Sequence, residues 1–391
     1  MACIYQFFIV NLMCLKSCLL GKRVIFFHLD SASQFIHIEP IILGIIRHYH
    51  YDCRLVFLVK NIERKTLHQN LMELGLENKN IYSPIVGLFS IFWHKYITVE
   101  QRSRTPYFSF LNSERICIFH GQPTKGNVYK GFKADRFDTL LMYGPLMYRY
   151  FLEQQQNIKR SECLNIIKLG QPKSDLLVNY SESKMQNIQK LCKNRLTVMY
   201  APSFETYSSL SIEGDKILRK MMNLDINIIF KPHPAFFNLL NEPEKCPNAN
   251  FQQQRWENLL NEIAPRICSP LDNDFDDKFS LYTADVILTD YSGIAFDAII
   301  MGRPVLYLPA DDFFDTHGPQ MTNMDSTILR NSVYHNAGRS YGRVISNVED
   351  LVKFSHSLCD EPWVSRRKSL KAELLYNPGT ATGKLLSYIF R

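Results

Sequence analysis

The sequence is poor in the short motifs that name an enzyme class. Its ten cysteines include no CxxC pair of the kind used by zinc knuckles and redox sites. It has no HExxH, no GxSxG, and no GxGxxG after its first strand-like run. Gly379–Lys384 comes nearest to a phosphate-binding P-loop, but the spacing is wrong and leucine follows the lysine. Long apolar runs, repeats and low-complexity stretches are also missing. The charge excess is mild: 45 Lys plus Arg against 38 Asp plus Glu, a formal net charge of +7. That balance suits an anionic substrate or an anionic membrane surface, not a dedicated nucleic-acid binder, which clusters its basic residues. With 46% hydrophobic and 21% charged residues, the 391-residue chain is globular, and its length suits two to three domains of about 150 residues each. Several cysteines sit in apolar runs, as in Ile116-Cys117-Ile118, which marks them as buried free thiols from a reducing compartment.

The first 20 residues stand apart in composition. Residues 3–20 are mostly apolar, yet Lys16 interrupts them, no basic segment precedes them and no small-residue cleavage site follows. A spanning helix needs about 20 clean apolar residues. Three readings stay open: a start-site extension, a helix packed on the fold, or an in-plane membrane anchor.

Beyond residue 21, short apolar runs alternate with helical patterns. Lys22–His28 reads as a first strand and residues 35–49 as the helix after it. Residues 54–59 read as a second strand, with a helix near 63–75. Further strand-like runs fall at 115–119, 139–143, 165–169, 197–200, 226–230, 286–288 and 305–308. Continuous apolar runs separated by helices indicate parallel sheets covered on both faces. They are too numerous for one ordinary open sheet. The expected fold is therefore α/β, with two Rossmann-like doubly wound domains: 21–169, and 170–391 with its last helix crossing back. Ligands in such folds sit beyond the carboxyl ends of the strands.

Four constellations follow strands directly. The first is His120-Gly121-Gln122-Pro123-Thr124-Lys125-Gly126, which places an imidazole suited to proton abstraction near pH 7 beside a lysine. The second is Lys231-Pro232-His233-Pro234, where two prolines stiffen a cationic pair fit to clamp phosphate. The third runs Thr289-Asp290-Tyr291-Ser292-Gly293-Ile294-Ala295-Phe296-Asp297; Thr289, Ser292 and Gly293 would offer hydroxyls and N–H groups at a helix start, and Asp297 would accept from a ribose or glycerol hydroxyl. The fourth is Tyr200-Ala201-Pro202-Ser203, preceded by Gly170-Gln171-Pro172-Lys173-Ser174-Asp175 near the domain boundary. Each also has a bland reading as a turn, a cap or a hydrogen-bonded loop residue. Asp311, Asp312 and Asp315 read as a solvated loop, not a metal site.

Taken in order, these motifs resemble the CDP-glycerol glycerophosphotransferase family of teichoic-acid and capsule polymer synthesis. The matching residues are His120-Gly121 with Lys125, Gly170-x-Pro172-Lys173-x-Asp175, Tyr200-Ala201-Pro202, Lys231-x-His233-Pro234, and Thr289-Asp290-Tyr291-Ser292 with Phe296-Asp297. Gly293 replaces the motif's second serine, and Phe204-Glu205 stand where many relatives carry arginine. The resemblance implies a GT-B architecture with a cleft between the domains, inverting chemistry and no required cofactor or metal. It implies a cytoplasmic enzyme, peripheral on the inner face of the plasma membrane, using CDP-glycerol or a similar nucleotide donor and a lipid-linked or polymeric acceptor. His120 would be the acceptor-side base. His233, Lys231, Ser292 and Asp297 would hold the donor, with Lys125, Thr289 and Gly293 beside them and Lys173, Asp175 and Ser203 as further candidates. The alternatives are a GT-B glycosyltransferase using a nucleotide sugar and a non-catalytic binding module of an envelope-polymer complex.

Overall fold

The computed structural model describes residues 2–391 except 50, 61–63, 77–79, 101–102, 107, 123–131, 159–160, 180–194, 206, 234–253, 255, 257, 260, 263–266 and 269–276. The described residues up to Asn179, together with Glu373–Arg391, form one compact unit; those of Tyr180–Ala372 form a second.

The first unit is built on β1 (Arg23–His28), β2 (Cys53–Leu58), β3 (Ile81–Tyr82), β4 (Lys95–Thr98), β5 (Glu114–Cys117), β6 (Thr139–Leu141) and β7 (Asn165–Ile167). They lie in the order β3-β2-β1-β4-β5-β6-β7, every neighbouring pair parallel. The second unit repeats the plan with β8 (Thr197–Tyr200), β9 (Asn227–Phe230), β10 (Ile267–Cys268), β11 (Val286–Thr289), β12 (Val305–Tyr307) and β13 (Arg343–Val344), in the order β10-β9-β8-β11-β12-β13. Both are doubly wound Rossmann-like sheets, the α/β GT-B class expected from the apolar runs. In each, the strand order reverses at one point, between β1 and β4 and between β8 and β11, where such sheets bind ligands. The strands are buried on both faces, as Val24–Phe27 and Val286–Leu288 show.

The apolar N-terminal segment is helix α1 (Ala2–Leu19), and it packs on the fold. Val10 and Cys14 are fully buried and join Val24, Phe26, Val56, Tyr82, Trp93 and Tyr96 in one cluster. Asn11 Oδ1 accepts from the Ile91 backbone N–H at 3.0 Å, tying the helix to the segment before β4. The opposite face, with Tyr5, Phe8, Leu12 and Leu19, is exposed.

The boundary expected at residue 170 falls later, and the C-terminal return is to the first unit. Helix α2 (Phe35–His48) packs on both α3 (Pro172–Val178) and the C-terminal helix Ala381–Ile389. Two contacts explain this. Gly170 holds φ at +94°, and a Cβ there would stand 2.1 Å from the Tyr376 carbonyl oxygen, so only glycine fits. Asp175 caps the C-terminal helix, accepting from the N–H groups of Ala381 at 3.1 Å and Thr382 at 2.7 Å. A Gly-x-Pro-Lys-x-Asp segment thus serves as the seat of a returning helix, and Asp175 is engaged there.

Deleting residues 1–20 uncovers the Phe26–Trp93–Tyr96 cluster. A fully buried aliphatic side chain contributes ~1.5–3 kcal/mol, so the truncated chain is expected to melt at least about 5 °C below the full-length protein. Circular dichroism melting checks this; an unchanged melting temperature would show that α1 is dispensable to the core.

Candidate active site

The β5 strand stops in a strained residue. Phe119 is buried with φ at +57°, a left-handed conformation that a bulky side chain resists. Tyr143, fully buried after β6, holds it there: its hydroxyl donates to the Ile118 and Phe119 carbonyls, the latter at 2.8 Å. The twist turns the next residue, His120, outward, so that its side chain is 50% exposed. Behind it, Glu100, two residues past β4, is only 16% exposed and sets its Oε2 3.2 Å from His120 Nδ1. A carboxylate on Nδ1 keeps the proton there and leaves Nε2 as the basic nitrogen. Burial pulls the imidazole's pKa down, but the Glu100 hydrogen bond and charge, the Val99 backbone and the charge of Asp30 outweigh it, and the net shift is upward.

Around this pair the first unit gathers groups with no sequence signature. His37 on α2 packs its ring edge-on to His120, centroids 6.4 Å apart. Its pKa lies well below the ordinary value because of burial, then repulsion from Lys173 and His120. Lys173, on α3, therefore shares the neighbourhood of His37. Lys125 lies outside the described residues.

In the second unit, the remaining candidates follow β8, β9 and β11, which are neighbours in the sheet, so they share its carboxyl edge. Asp290 organises them. It is fully buried, and its carboxylate accepts from the backbone N–H of Ser203 (2.9 Å), Tyr291 (2.7 Å) and Ser209 (3.1 Å) and from the Ser209 hydroxyl (3.0 Å). Arg339, from far along the chain, donates to the carbonyls of Asp290 (2.6 Å) and Leu308 (2.9 Å). Burial lowers its pKa. Neither residue was singled out from sequence; a lone Asp inside a motif and an Arg outside every motif carry no signal of bracing.

Thr289 is fully buried, and its hydroxyl donates to the Ala201 carbonyl at 2.7 Å. It ties β11 to β8 and does not present a hydroxyl to a ligand, which corrects its expected role. Ser203 is buried, and its hydroxyl has no hydrogen-bond partner among the described residues. His233 lies exposed and stacks on Phe204, ring centroids 4.5 Å apart. Phe204, standing where relatives carry arginine, thus steadies the imidazole instead of binding phosphate. Lys231 and the turn residues Ser292 and Gly293 are partly exposed, and Asp297 is buried in the helix Ile294–Ile300 that follows. The acidic residues of 311–315 lie in helical turns, not in the loop expected, and are taken up by Arg330, whose guanidinium lies 2.8 Å from Asp311 and 2.7 Å from Asp315.

Chemically, the first unit offers a carboxylate-backed imidazole open to solvent. The second offers a lysine, a histidine and a polar turn at one strand edge, a set suited to a polyanionic ligand. Because burial alone would pull the His120 pKa down, Glu100→Gln is expected to lower it below the wild-type value. Imidazole NMR titration reads this directly; an unmoved titration would dissolve the pair.

Comparison with known proteins places the chain in a family. Residues 14–317 match the family described as CDP-Glycerol:Poly(glycerophosphate) glycerophosphotransferase. The teichoic acid glycerol-phosphate primase of Bacillus subtilis (strain 168) is 22% identical over 149 residues, which are 37% of this chain and 34% of that protein, so the match spans about a third of its length. A structure of the wall teichoic acid polymerase TagF superposes with a TM-score of 0.63 at 15% identity, covering 99% of this chain and 97% of that one. A putative UDP-N-acetylglucosamine 2-epimerase from Listeria monocytogenes gives 0.54 at 15% identity, covering 94% and 96%. At such identities the structural likeness is one of fold. The sequence match over most of the length is one of kinship, and the chain belongs to the CDP-glycerol:poly(glycerophosphate) glycerophosphotransferase family.

Proposed function

We propose that this protein transfers glycerol phosphate, or a related alditol phosphate, from a CDP-activated donor to a hydroxyl of a lipid-linked or polymeric acceptor in bacterial envelope-polymer synthesis. The observation that carries the reading is His120: solvent-open, aimed by a strained residue and backed by Glu100. The acceptor oxygen attacks the donor's β-phosphorus while His120 Nε2 takes its proton. The new P–O bond forms as the bond to the bridging oxygen breaks, and CMP leaves with that electron pair. Lys231, His233 and the Ser292-Gly293 turn hold the diphosphate and stabilise its developing charge. Family membership and a solved TagF structure soaked with CDPG support the CDP-linked donor. The reading needs no cofactor or metal ion, since cationic side chains supply the counter-charge.

The acceptor is reached at a membrane surface, on the cytoplasmic side. No helix among the described residues is long and apolar enough to cross a membrane. However, Tyr5, Phe8, Leu12 and Leu19 form an exposed apolar stripe on α1, continued by Ile85 and Phe89 on the adjoining helix Pro84–Phe89. Lys16, Lys22 and Arg54 line a depression beside Leu12 and Leu20. Apolar side chains flanked by basic ones suit a peripheral helix on anionic lipid.

Mass spectrometry of products from a panel of CDP-glycerol, CDP-ribitol and UDP-sugars is expected to show transfer from a CDP-alditol in EDTA as well as without it; transfer from a UDP-sugar alone would make this a glycosyltransferase. His120→Ala is expected to lower kcat about 100- to 10,000-fold with CDP affinity retained, because a base acts in the transition state. His233→Ala and Ser292→Ala are expected to weaken CDP binding by calorimetry, and wild-type affinity in both would remove them from the donor site. The raised His120 pKa places the acid limb of kcat/KM above the ordinary imidazole value, since the protonated ring cannot act as base. The double substitution Phe8→Ser, Leu12→Ser is expected to reduce co-sedimentation with anionic vesicles without lowering the melting temperature. Retained sedimentation would move the lipid contact elsewhere.

A further inference from the structure

Two His–carboxylate pairs stand at the carboxyl edge of the first sheet. His120 is the outer member of its pair and Glu100 the inner. In the other pair His28 is the inner member at 4% exposed and Asp30 the outer at 35%, with His28 Nε2 3.5 Å from Asp30 Oδ1. The amino edge, where β1, β2 and β3 begin, carries a different feature, which the proposed reaction does not use. β1 has six residues, so about 20 Å separates the two edges, and the feature is no part of the site around His120.

It consists of two depressions that share one rim. The first is a cavity of about 250 Å³, walled by Ile45 and Ile46 of α2, Leu55 and Phe57 of β2, and Leu71 of the helix Arg64–Glu73. Cys53 adds to its apolar wall, because burial pushes the thiol up to about 12 and keeps it neutral. The second depression runs along the C-terminal half of α1, at Leu12 and Lys16. Lys22, one residue before β1, and Arg54, at the start of β2, line both. Arg54 is held in place there, its Nε donating to the Ser17 hydroxyl of α1 at 3.4 Å. No acidic side chain lines either depression among the described residues.

An apolar cavity with a cationic rim matches an amphiphile that carries one anionic head. Two further observations narrow the occupant. Asn80 belongs to the cavity lining, and its side-chain oxygen is buried with no hydrogen-bond partner among the described residues. A buried acceptor left so is destabilising, and a headgroup donor would satisfy it. The rim also opens beside Leu12, which belongs to the exposed apolar stripe of α1. A surface that docks on lipid through that stripe thus brings bilayer lipid to Lys22 and Arg54.

We propose that this cavity holds one acyl chain of an anionic phospholipid, with the lipid phosphate on Lys22 and Arg54. The second chain stays in the bilayer, so a single bound lipid fixes the amino edge of the sheet to the membrane alongside the α1 stripe. The inference rests on the membrane-surface reading proposed above and names the lipid that this surface selects. The occupant is a lipid of the bilayer and not the acceptor, whose reacting hydroxyl has to reach His120 at the opposite edge.

The test titrates the full-length protein by calorimetry with dioctanoyl phosphatidylglycerol below its micelle concentration, so that no bilayer is present. Saturable binding is expected. A buried methylene strengthens binding about fourfold, so dihexanoyl phosphatidylglycerol, two methylenes shorter in the seated chain, is expected to bind about 15-fold more weakly. A cation beside an anionic head contributes about fivefold, and Lys22→Gln is expected to lose that factor on phosphatidylglycerol and little on dioctanoyl phosphatidylcholine. Ile46→Trp, which fills the cavity, is expected to abolish binding of the monomeric lipid while the protein still sediments with phosphatidylglycerol vesicles through α1. Should Ile46→Trp fail to fold, the chain-length series and Lys22→Gln decide. Glycerol 1-phosphate, the head without a chain, is expected not to bind; binding as tight as that of the lipid would make this a free-phosphate site and overturn the proposal. Absence of saturable binding, equal affinity for the two chain lengths, or wild-type affinity in Ile46→Trp overturns the lipid site and leaves the membrane-surface reading standing. A wild type that neither binds the monomeric lipid nor sediments with the vesicles overturns both.

Discussion

The Tyr143 hydroxyl is the interaction on which the first unit's chemistry depends. A phenylalanine in the left-handed region costs about 1–3 kcal/mol, and such a residue persists only where its surroundings over-determine it. Here one buried phenol bonds two successive carbonyls, at Ile118 and Phe119. The Tyr143 carbonyl in turn accepts from the Tyr376 N–H at 2.6 Å, and the next residue, Gly144, has no room for a Cβ against the Leu374 backbone. The Gln122 side chain donates to the Leu374 carbonyl at 2.8 Å. The loop bearing His120 is therefore clamped from both ends by the segment that brings the chain back from the second unit. The C-terminal return helps to position the base, although it lies some 250 residues away in sequence.

The second unit solves the same problem with a carboxylate. Asp290 fills its acceptor positions with N–H and O–H groups of the 203–209 segment and of its own turn, while Arg339 caps the Asp290 carbonyl from below. Few of these groups are left to bind anything. That is why a motif such as Thr289-Asp290-Tyr291-Ser292 mixes two kinds of residue. Thr289 and Asp290 turn inward and join strands, and Tyr291 is buried in a stack with Phe313, ring centroids 4.2 Å apart. Ser292 and Gly293, at the exposed end of the turn, are left for a ligand.

This division explains what was legible in the sequence. Strands whose residues are apolar on both faces, such as Val24–Phe27 and Val286–Leu288, announce themselves, and so does the doubly wound plan. The strand β4, Lys95-Tyr96-Ile97-Thr98, does not, because only its middle is apolar: Lys95 at its start pairs with Glu114, and buried Thr98 hydrogen-bonds within its own turn. Missing β4 hides Glu100, which follows it, and with Glu100 the orientation of the base. Asp30 and His37 are hidden for a different reason. Their neighbours are brought together by sheet order alone, across three strands, with no fixed spacing along the chain. Asp175 erred the other way: its motif position was read as a ligand contact, but its partners are two backbone N–H groups more than 200 residues on.

Burial, not residue type, separates the roles of the two His–carboxylate pairs. An imidazole whose carboxylate partner lies behind it presents a nitrogen whose basicity that carboxylate raises. An imidazole sunk behind its carboxylate is held below its ordinary pKa, chiefly by burial, and stays neutral, which is the direction found for His28. A neutral ring holds Asp30 in place without cancelling its charge, whereas a protonated one would. The charge of Asp30 at the sheet edge adds to the field that raises His120. The same residue types, exchanged in depth at one sheet edge, thus give one imidazole raised above its ordinary pKa and one held below it. For His120 that depth is decided by the left-handed turn after β5, that is, by backbone geometry.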